Sequence, residues 1–263
     1  MSTTTDPLPP ALKWAGGKRW QLPYLTPLWQ PHSRRRLVEP FCGGLAVALG
    51  LRPERAVLND ANEHLINFYS WLKKGLVASI PMENDEDLFY GHRERFNALI
   101  RAGKAQSKES AELFYYMNRT AYNGLCRFNG RGEFNAPFGQ YKTIAYSRTF
   151  EAYRDAFTDW EFSTGDFARI ELRSDDFVYA DPPYDVEFTA YSRGGFSWDD
   201  QVRTAETFAR HPGPVVLVNQ STARVDDLYR KVGYSLHHHD APRRISCNGD
   251  RTPAKEVLAS RNL

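Results

Sequence analysis

Long apolar runs are missing from this 263-residue sequence. Its longest apolar stretch without a charge, residues 40–51, falls well short of the roughly 20 residues that cross a bilayer, so no membrane span is expected. Cysteine is scarce as well. Cys42, Cys126 and Cys247 are odd in number and far apart, which fits neither a disulfide framework nor a Cys-x-x-Cys metal site. A reducing, cytoplasmic setting is the expectation, and the start, Met1-Ser2-Thr3-Thr4-Thr5-Asp6-Pro7, lacks the basic and then apolar segments of a secretory signal. Nor is there a surplus of one charge: 34 basic residues against 32 acidic leave +2, so attraction to a polyanion has to come from local clustering. Internal repeats and low-complexity tracts are also lacking.

What remains has a globular balance, with 41% hydrophobic, 25% charged and 14% aromatic residues, in a chain long enough to bury a real core. Short apolar runs ending in polar or turn-forming residues predict strands at 36–39, 56–59, 177–180 and 215–219. Helical patterns at 45–51, 62–74 and 201–211 lie between or after them, which is the alternation of an α/β, doubly wound parallel sheet. The alternation stops between residues 63 and 147. There, two helical stretches, 88–102 and 110–118, lead into a loop rich in Asn, Gly and aromatics, read as an inserted, mainly helical domain. The stretch from Tyr234 to Ile245, closing on Cys247-Asn248-Gly249-Asp250, reads as late strands around an Asn-Gly turn.

Asp181-Pro182-Pro183-Tyr184 directly follows a buried strand, at the carboxyl edge where open α/β sheets bind ligands. Two prolines stiffen the backbone and remove its donors, so the carbonyl of Asp181 or Pro182 can face a substrate beside the Asp181 carboxylate. Two acceptors suit an NH2 group, and Tyr184 can stack on a flat ring. Glu39-Pro40-Phe41-Cys42-Gly43-Gly44 closes the first strand with glycines that let a ligand approach the backbone, although Gly-x-Gly-x-x-Gly is not there. Asp60 ends the next strand, suited either to ribose hydroxyls or to capping the following helix. Trp14-Ala15-Gly16-Gly17-Lys18 is no Walker loop, since Leu12 and Arg19 stand where glycine and Ser or Thr belong. From Tyr115 to Lys142, Arg119, Arg127, Arg131 and Lys142 face one acid, Glu133, among Tyr122, Phe128 and Phe134, a pattern that suits a nucleic-acid surface. His237-His238-His239 on a strand point to alternate faces and do not converge on one ion, so no metal site is expected.

Taken in order, Lys-Trp-Ala-Gly-Gly-Lys, Glu-Pro-Phe-Cys-Gly-Gly, an insertion and Asp-Pro-Pro-Tyr resemble the Dam family of DNA adenine N6-methyltransferases over most of the chain. The most specific stretch runs through Asn118-Arg119, Tyr122 to Arg127 and Arg131 to Asn135, then Pro137-Phe138-Gly139, with support from Arg244-Ile245-Ser246 and Asn248-Gly249. The resemblance implies a Rossmann-like catalytic domain (1–62 and 148–263) and a DNA-recognition domain (63–147). It implies methyl transfer from S-adenosyl-L-methionine to N6 of a flipped-out adenine in double-stranded DNA, within GATC, by a chain acting as a monomer. By matching position, Trp14, Lys18, Phe41, Asp60, Asp166, Phe167 and Asp181 would border the cofactor, and Asp181, Pro182, Pro183 and Tyr184 would carry the chemistry. Lys13, Leu125, Arg127 and Pro137 match base-pair readers, Tyr122 a residue inserted into the opened duplex, and Arg119 and Asn123 further DNA contacts. Two departures stand out: Gln140 replaces an arginine expected to touch phosphate, and the segment 185–188 is short. The competing readings are an amino-methyltransferase acting on RNA or protein glutamine, which usually places Asn before Pro-Pro-Tyr, and a non-catalytic DNA-binding relative.

Overall fold

The computed structural model describes residues 8–185, 195–241 and 254–263. Seven strands form one sheet: β1 (Leu37–Glu39), β2 (Ala56–Asp60), β3 (Trp160–Thr164), β4 (Phe177–Ala180), β5 (Val215–Gln220), β6 (Ser235–Ala241) and β7 (Ala254–Arg261). Their order is β3-β2-β1-β4-β5-β7-β6. The first five are parallel, and β7 runs antiparallel between β5 and β6. Strand order reverses between β1 and β4, so the carboxyl ends of these two strands flank the crevice where such sheets bind ligands.

Side-chain alternation along the strands divides the core in two. Leu37, Leu58, Phe177, Tyr179, Val216 and Val218 point to one face, where they join α1 (Leu22–Trp29), α2 (Ala46–Leu51), α3 (Glu63–Lys73), α4 (Glu86–Arg101) and α5 (Lys108–Thr120). Val38, Val57, Val178, Ala180, Val215 and Leu217 point to the other, covered by α7 (Trp198–Ala209) and α8 (Ala223–Lys231). The α/β, doubly wound reading therefore describes the molecule. β3, with a short α6 (Glu151–Ala156) before it, lay outside the predicted strands. Its sequence, Trp-Glu-Phe-Ser-Thr, is a half-exposed edge strand that lacks the continuous apolar run of its neighbours.

Helix ends follow local chemistry. Asn62, rather than Asp60, caps α3, its side chain accepting from the N–H groups of His64 and Leu65. Asp85 and Ser107 do the same for α4 and α5, and Ser197 with Asp200 forms a capping box on α7. Two antiparallel bridges, Ala121 with Phe138 and Phe128 with Phe134, shape the loop that follows α5. Asn97 of α4 grips that loop at two points, donating to Phe134 O (3.1 Å) and accepting from Phe134 N (2.8 Å). The expected Asn-Gly turn, with Cys247, Arg244-Ile245-Ser246 and Asn248-Gly249, lies outside the described residues, as do positions 186–188 of the short segment.

Candidate active site

At the carboxyl end of β1 the chain turns sharply, and its partners over-determine the turn. Cys42 N donates to Asn59 O (2.8 Å), Asn59 Nδ2 to Pro40 O (3.0 Å), and Gly43 N to Asp60 Oδ2 (3.0 Å). The Tyr69 hydroxyl donates to Gly43 O (2.8 Å). Gly43 has φ +45°, and a Cβ there would come within 2.8 Å of Trp14 Nε1, while one on Gly44 would come equally close to Trp14 Cβ. The Trp14 side chain is thus packed directly on the glycine turn, which explains why both positions are glycine.

Asp60 accepts through both carboxylate oxygens, from Gly43 N and Asn62 N, and keeps lone pairs free. Phe41 and Phe167 face one another at 5.2 Å between ring centres and form an apolar wall beside the turn. Asp166 is committed elsewhere: Arg203 holds both its oxygens at 2.8 Å, and this pairing keeps its carboxyl below the usual range.

Asp181 follows β4, and its Oδ2 pairs with Lys18 Nζ at 3.0 Å. Lys18 is 5% exposed, donates to Gly16 O as well (2.8 Å), and lies 4.6 Å from the centre of the Tyr184 ring. Burial pushes the Asp181 carboxyl up to about 6, against the pull of Lys18, which favours the anion. Its second oxygen, Oδ1, is buried with no partner among the described residues. So are Glu39 Oε1 and the Tyr184 hydroxyl, and burial raises the Glu39 carboxyl well above its ordinary value. Unsatisfied buried polar atoms converging at one sheet edge call for a polar ligand. Beneath them, Gln21 donates to Glu256 Oε2 (2.7 Å) and accepts from the Tyr179 hydroxyl (2.9 Å). Sequence reasoning missed Glu39, Gln21 and Glu256. Only the first lies in a recognisable motif.

The second group of sequence-predicted residues clusters around the end of α5. Tyr122 is 53% exposed, and Asn123, Leu125, Arg127 and Pro137 are exposed beside it. Arg127 is held by Asn135, donating through Nε to Oδ1 and through a terminal nitrogen to the backbone oxygen, both at 2.9 Å. Lys13 and Arg119 differ. Arg119 is half-buried and donates to Ala11 O (2.6 Å), while Lys13 Nζ donates to Arg119 O (3.2 Å) and sits over the Tyr141 ring. Asn118 straps this segment to α5 by accepting from Lys13 N (2.9 Å) and donating to Lys13 O (2.8 Å). The exposed residues and the Asp181 crevice are therefore joined through residues 11–18. His238 pairs with Asp226 and His239 packs at a tilt against Tyr24, so these two histidines have different targets.

The family model of D12 class N6 adenine-specific DNA methyltransferases matches residues 14–245. The chain belongs to this family. It is 38% identical over 271 residues to the DNA adenine methylase of Vibrio cholerae, spanning 94% of each chain. It is 36% identical over 273 residues to the DNA adenine methylase of Escherichia coli K12, spanning 94% of this chain and 93% of that one. The Type II methyltransferase M1.LlaDCHI of Lactococcus lactis shares 34% identity over 256 residues, 90% of this chain and 89% of its own. The protein is an adenine-specific DNA methyltransferase. No helix among the described residues is long and apolar enough to cross a membrane.

Proposed function

We propose that this enzyme transfers the methyl group of S-adenosyl-L-methionine to N6 of an adenine flipped out of duplex DNA, within GATC. The observation that carries the reading is the Asp181 carboxylate. One of its oxygens is engaged by Lys18 and the other is buried with no partner among the described residues, beside a proline pair at the switch point of the sheet.

The residues suit such a donor. Trp14 braces the glycine turn, Phe41 and Phe167 offer an apolar wall to a flat purine, and Asp60 retains lone pairs for hydroxyls. Lys18 and Asp181 complete the lining, and Glu39 Oε1, without a partner among the described residues, supplies an acceptor. When bound, S-adenosyl-L-methionine supplies an electrophilic methyl group on a sulfonium. Asp166 borders this region through its neighbour Phe167, while its carboxylate serves Arg203.

Reaching N6 requires taking the base out of the stack, at a cost of a few kcal/mol, and Tyr122 is exposed and placed to fill the gap. In the pocket, Asp181 Oδ1 and the Pro182 carbonyl accept the two N6 hydrogens, Tyr184 packs on the ring, and the nitrogen lone pair faces the methyl group. As N6 attacks, positive charge develops on it, so a fixed carboxylate stabilises the transition state more than the ground state. The proton then leaves N6 from the product. Residues 63–147 act as the DNA-recognition unit, with Lys13, Leu125, Arg127 and Pro137 reading base pairs and Arg119 and Asn123 assisting. The half-buried Arg119 acts through its hold on residues 11–13.

Asp181→Ala is expected to abolish tritium transfer from S-adenosyl-L-methionine into duplex DNA while the variant stays folded by circular dichroism. Wild-type transfer by that variant defeats the assignment. RNA and glutamine-containing peptide as acceptors, run alongside, test the substrate class, and mapping modified adenines tests GATC.

A further inference from the structure

Two consecutive prolines leave the Asp181–Tyr184 segment without N–H groups at Pro182 and Pro183, so there the backbone is held only through its carbonyls. Among the described residues, the Pro183 carbonyl accepts from Gln201 Nε2 at 2.7 Å. Gln201 lies on the first turns of α7 and is 2% exposed. Its amide is oriented from the far side: Asn219 Nδ2, at the end of β5, donates to Gln201 Oε1 at 2.9 Å and lies 3.3 Å from the Tyr229 hydroxyl of α8. Asn219 Oδ1 in turn accepts from Gln220 N at 2.9 Å. Gln201, Asn219 and Tyr229 are all buried. A primary amide has a donor end and an acceptor end, so a donor on the Asn219 side turns the NH2 of Gln201 toward Pro183.

We propose that Gln201, oriented by Asn219, is a positioning residue that fixes the Asp-Pro-Pro-Tyr segment and decides which of its acceptors meet the substrate. With the Pro183 carbonyl occupied, the acceptors left for the two hydrogens of an adenine amine are the Asp181 carboxylate and the Asp181 or Pro182 carbonyl, of which the mechanism above uses Pro182. The amide pair therefore ties the reacting geometry to α7 and β5, on the face of the sheet away from α4 and α5. The inference rests on the Asp181 site proposed above.

Gln201→Met keeps side-chain length and removes the donor. In single-turnover methylation of duplex DNA its rate is expected to fall about ten- to a hundredfold, the loss that goes with a small misplacement of reacting groups. KM for DNA and the Kd for S-adenosylhomocysteine by calorimetry should stay within about twofold of wild type, the pattern of an interaction used only in the transition state. Gln201→Glu, which turns an oxygen toward the Pro183 carbonyl, should fall at least as far. Asn219→Asp touches no atom of the segment, yet should lose rate to the same degree because its carboxylate draws the Gln201 NH2 away. The Gln201→Met/Asn219→Asp double variant should lose no more than the worse single one. Wild-type rates in folded Gln201→Met overturn the role, as does a rate loss matched by equal losses of cofactor affinity and melting temperature. If Asp181→Ala is inactive while both amide variants transfer normally, only the positioning role fails. If Asp181→Ala is active, the site itself is wrong.

Discussion

Buried Lys18 pairs with the partly buried Asp181, so one ammonium has to offset the desolvation of a carboxylate whose second oxygen has no partner among the described residues. Because burial lifts the Asp181 carboxyl to about 6 and Lys18 opposes that lift, the anion that the proposed mechanism uses is lost as the pH falls through this value. The pH profile of kcat/KM is therefore expected to show an acid limb near 6. Lys18→Met removes the group that favours the anion and should move the limb to higher pH, and an unmoved limb in a variant that still binds cofactor would contradict the pairing. On the surface proposed to read DNA, Asn135 holds the Arg127 guanidinium in place. Arg127→Ala should cost about 1–3 kcal/mol of discrimination at one base position, read as a relaxed consensus when methylated fragments are sequenced. Asp181, Lys18 and Arg127 were each legible in the sequence as members of motifs. Their pairings were not, since Lys18 meets Asp181 and Gln201 meets Pro183 only after folding.

Elements place these side chains. The turn between β1 and α2 works because Gly43 and Gly44 leave room for Trp14, which arrives from the amino-terminal segment strapped to α5 by Asn118. Gly44→Ala puts a Cβ within 2.8 Å of Trp14 Cβ, a contact that forces the indole aside. The expected result is a fall in S-adenosylhomocysteine affinity of about tenfold or more, accompanied by a change in tryptophan emission, with melting only mildly affected. Unchanged affinity would remove Trp14 from the proposed cofactor site. β4 and β5 could be read from sequence because parallel strands buried on both faces are continuously apolar. β3 escaped because an edge strand with exposed positions has no such run. Asp60 illustrates a different limit: its spacing allowed a cap or a ligand contact, and only the neighbouring backbone shows that Asn62 caps α3.

Over the whole molecule, the strand reversal between β1 and β4 is secured at the edge opposite the site. There Arg36 and Asp176, both buried, make two charge-assisted hydrogen bonds at 2.9 and 2.7 Å, and Asp176 also accepts from Arg173 N. Removing one partner strands a buried charge, so Asp176→Ala should cost about 3–5 kcal/mol in urea unfolding while the folded fraction keeps its kcat. A loss of kcat per folded molecule would show that this edge communicates with the chemistry. By itself the sequence determined the α/β alternation and located the Asp-Pro-Pro-Tyr segment, the glycine turn and the basic, aromatic stretch after α5, because apolar period, proline and glycine act over a few residues. Tertiary structure alone decided that Lys18 neutralises Asp181, that Asp166 belongs to Arg203, that Arg119 turns inward to Ala11, and that Gln201 and Asn219 hold Pro183. These pairings join residues remote in the chain, and their energies depend on burial and orientation, which exist only once the sheet has formed and its helices have packed on both faces.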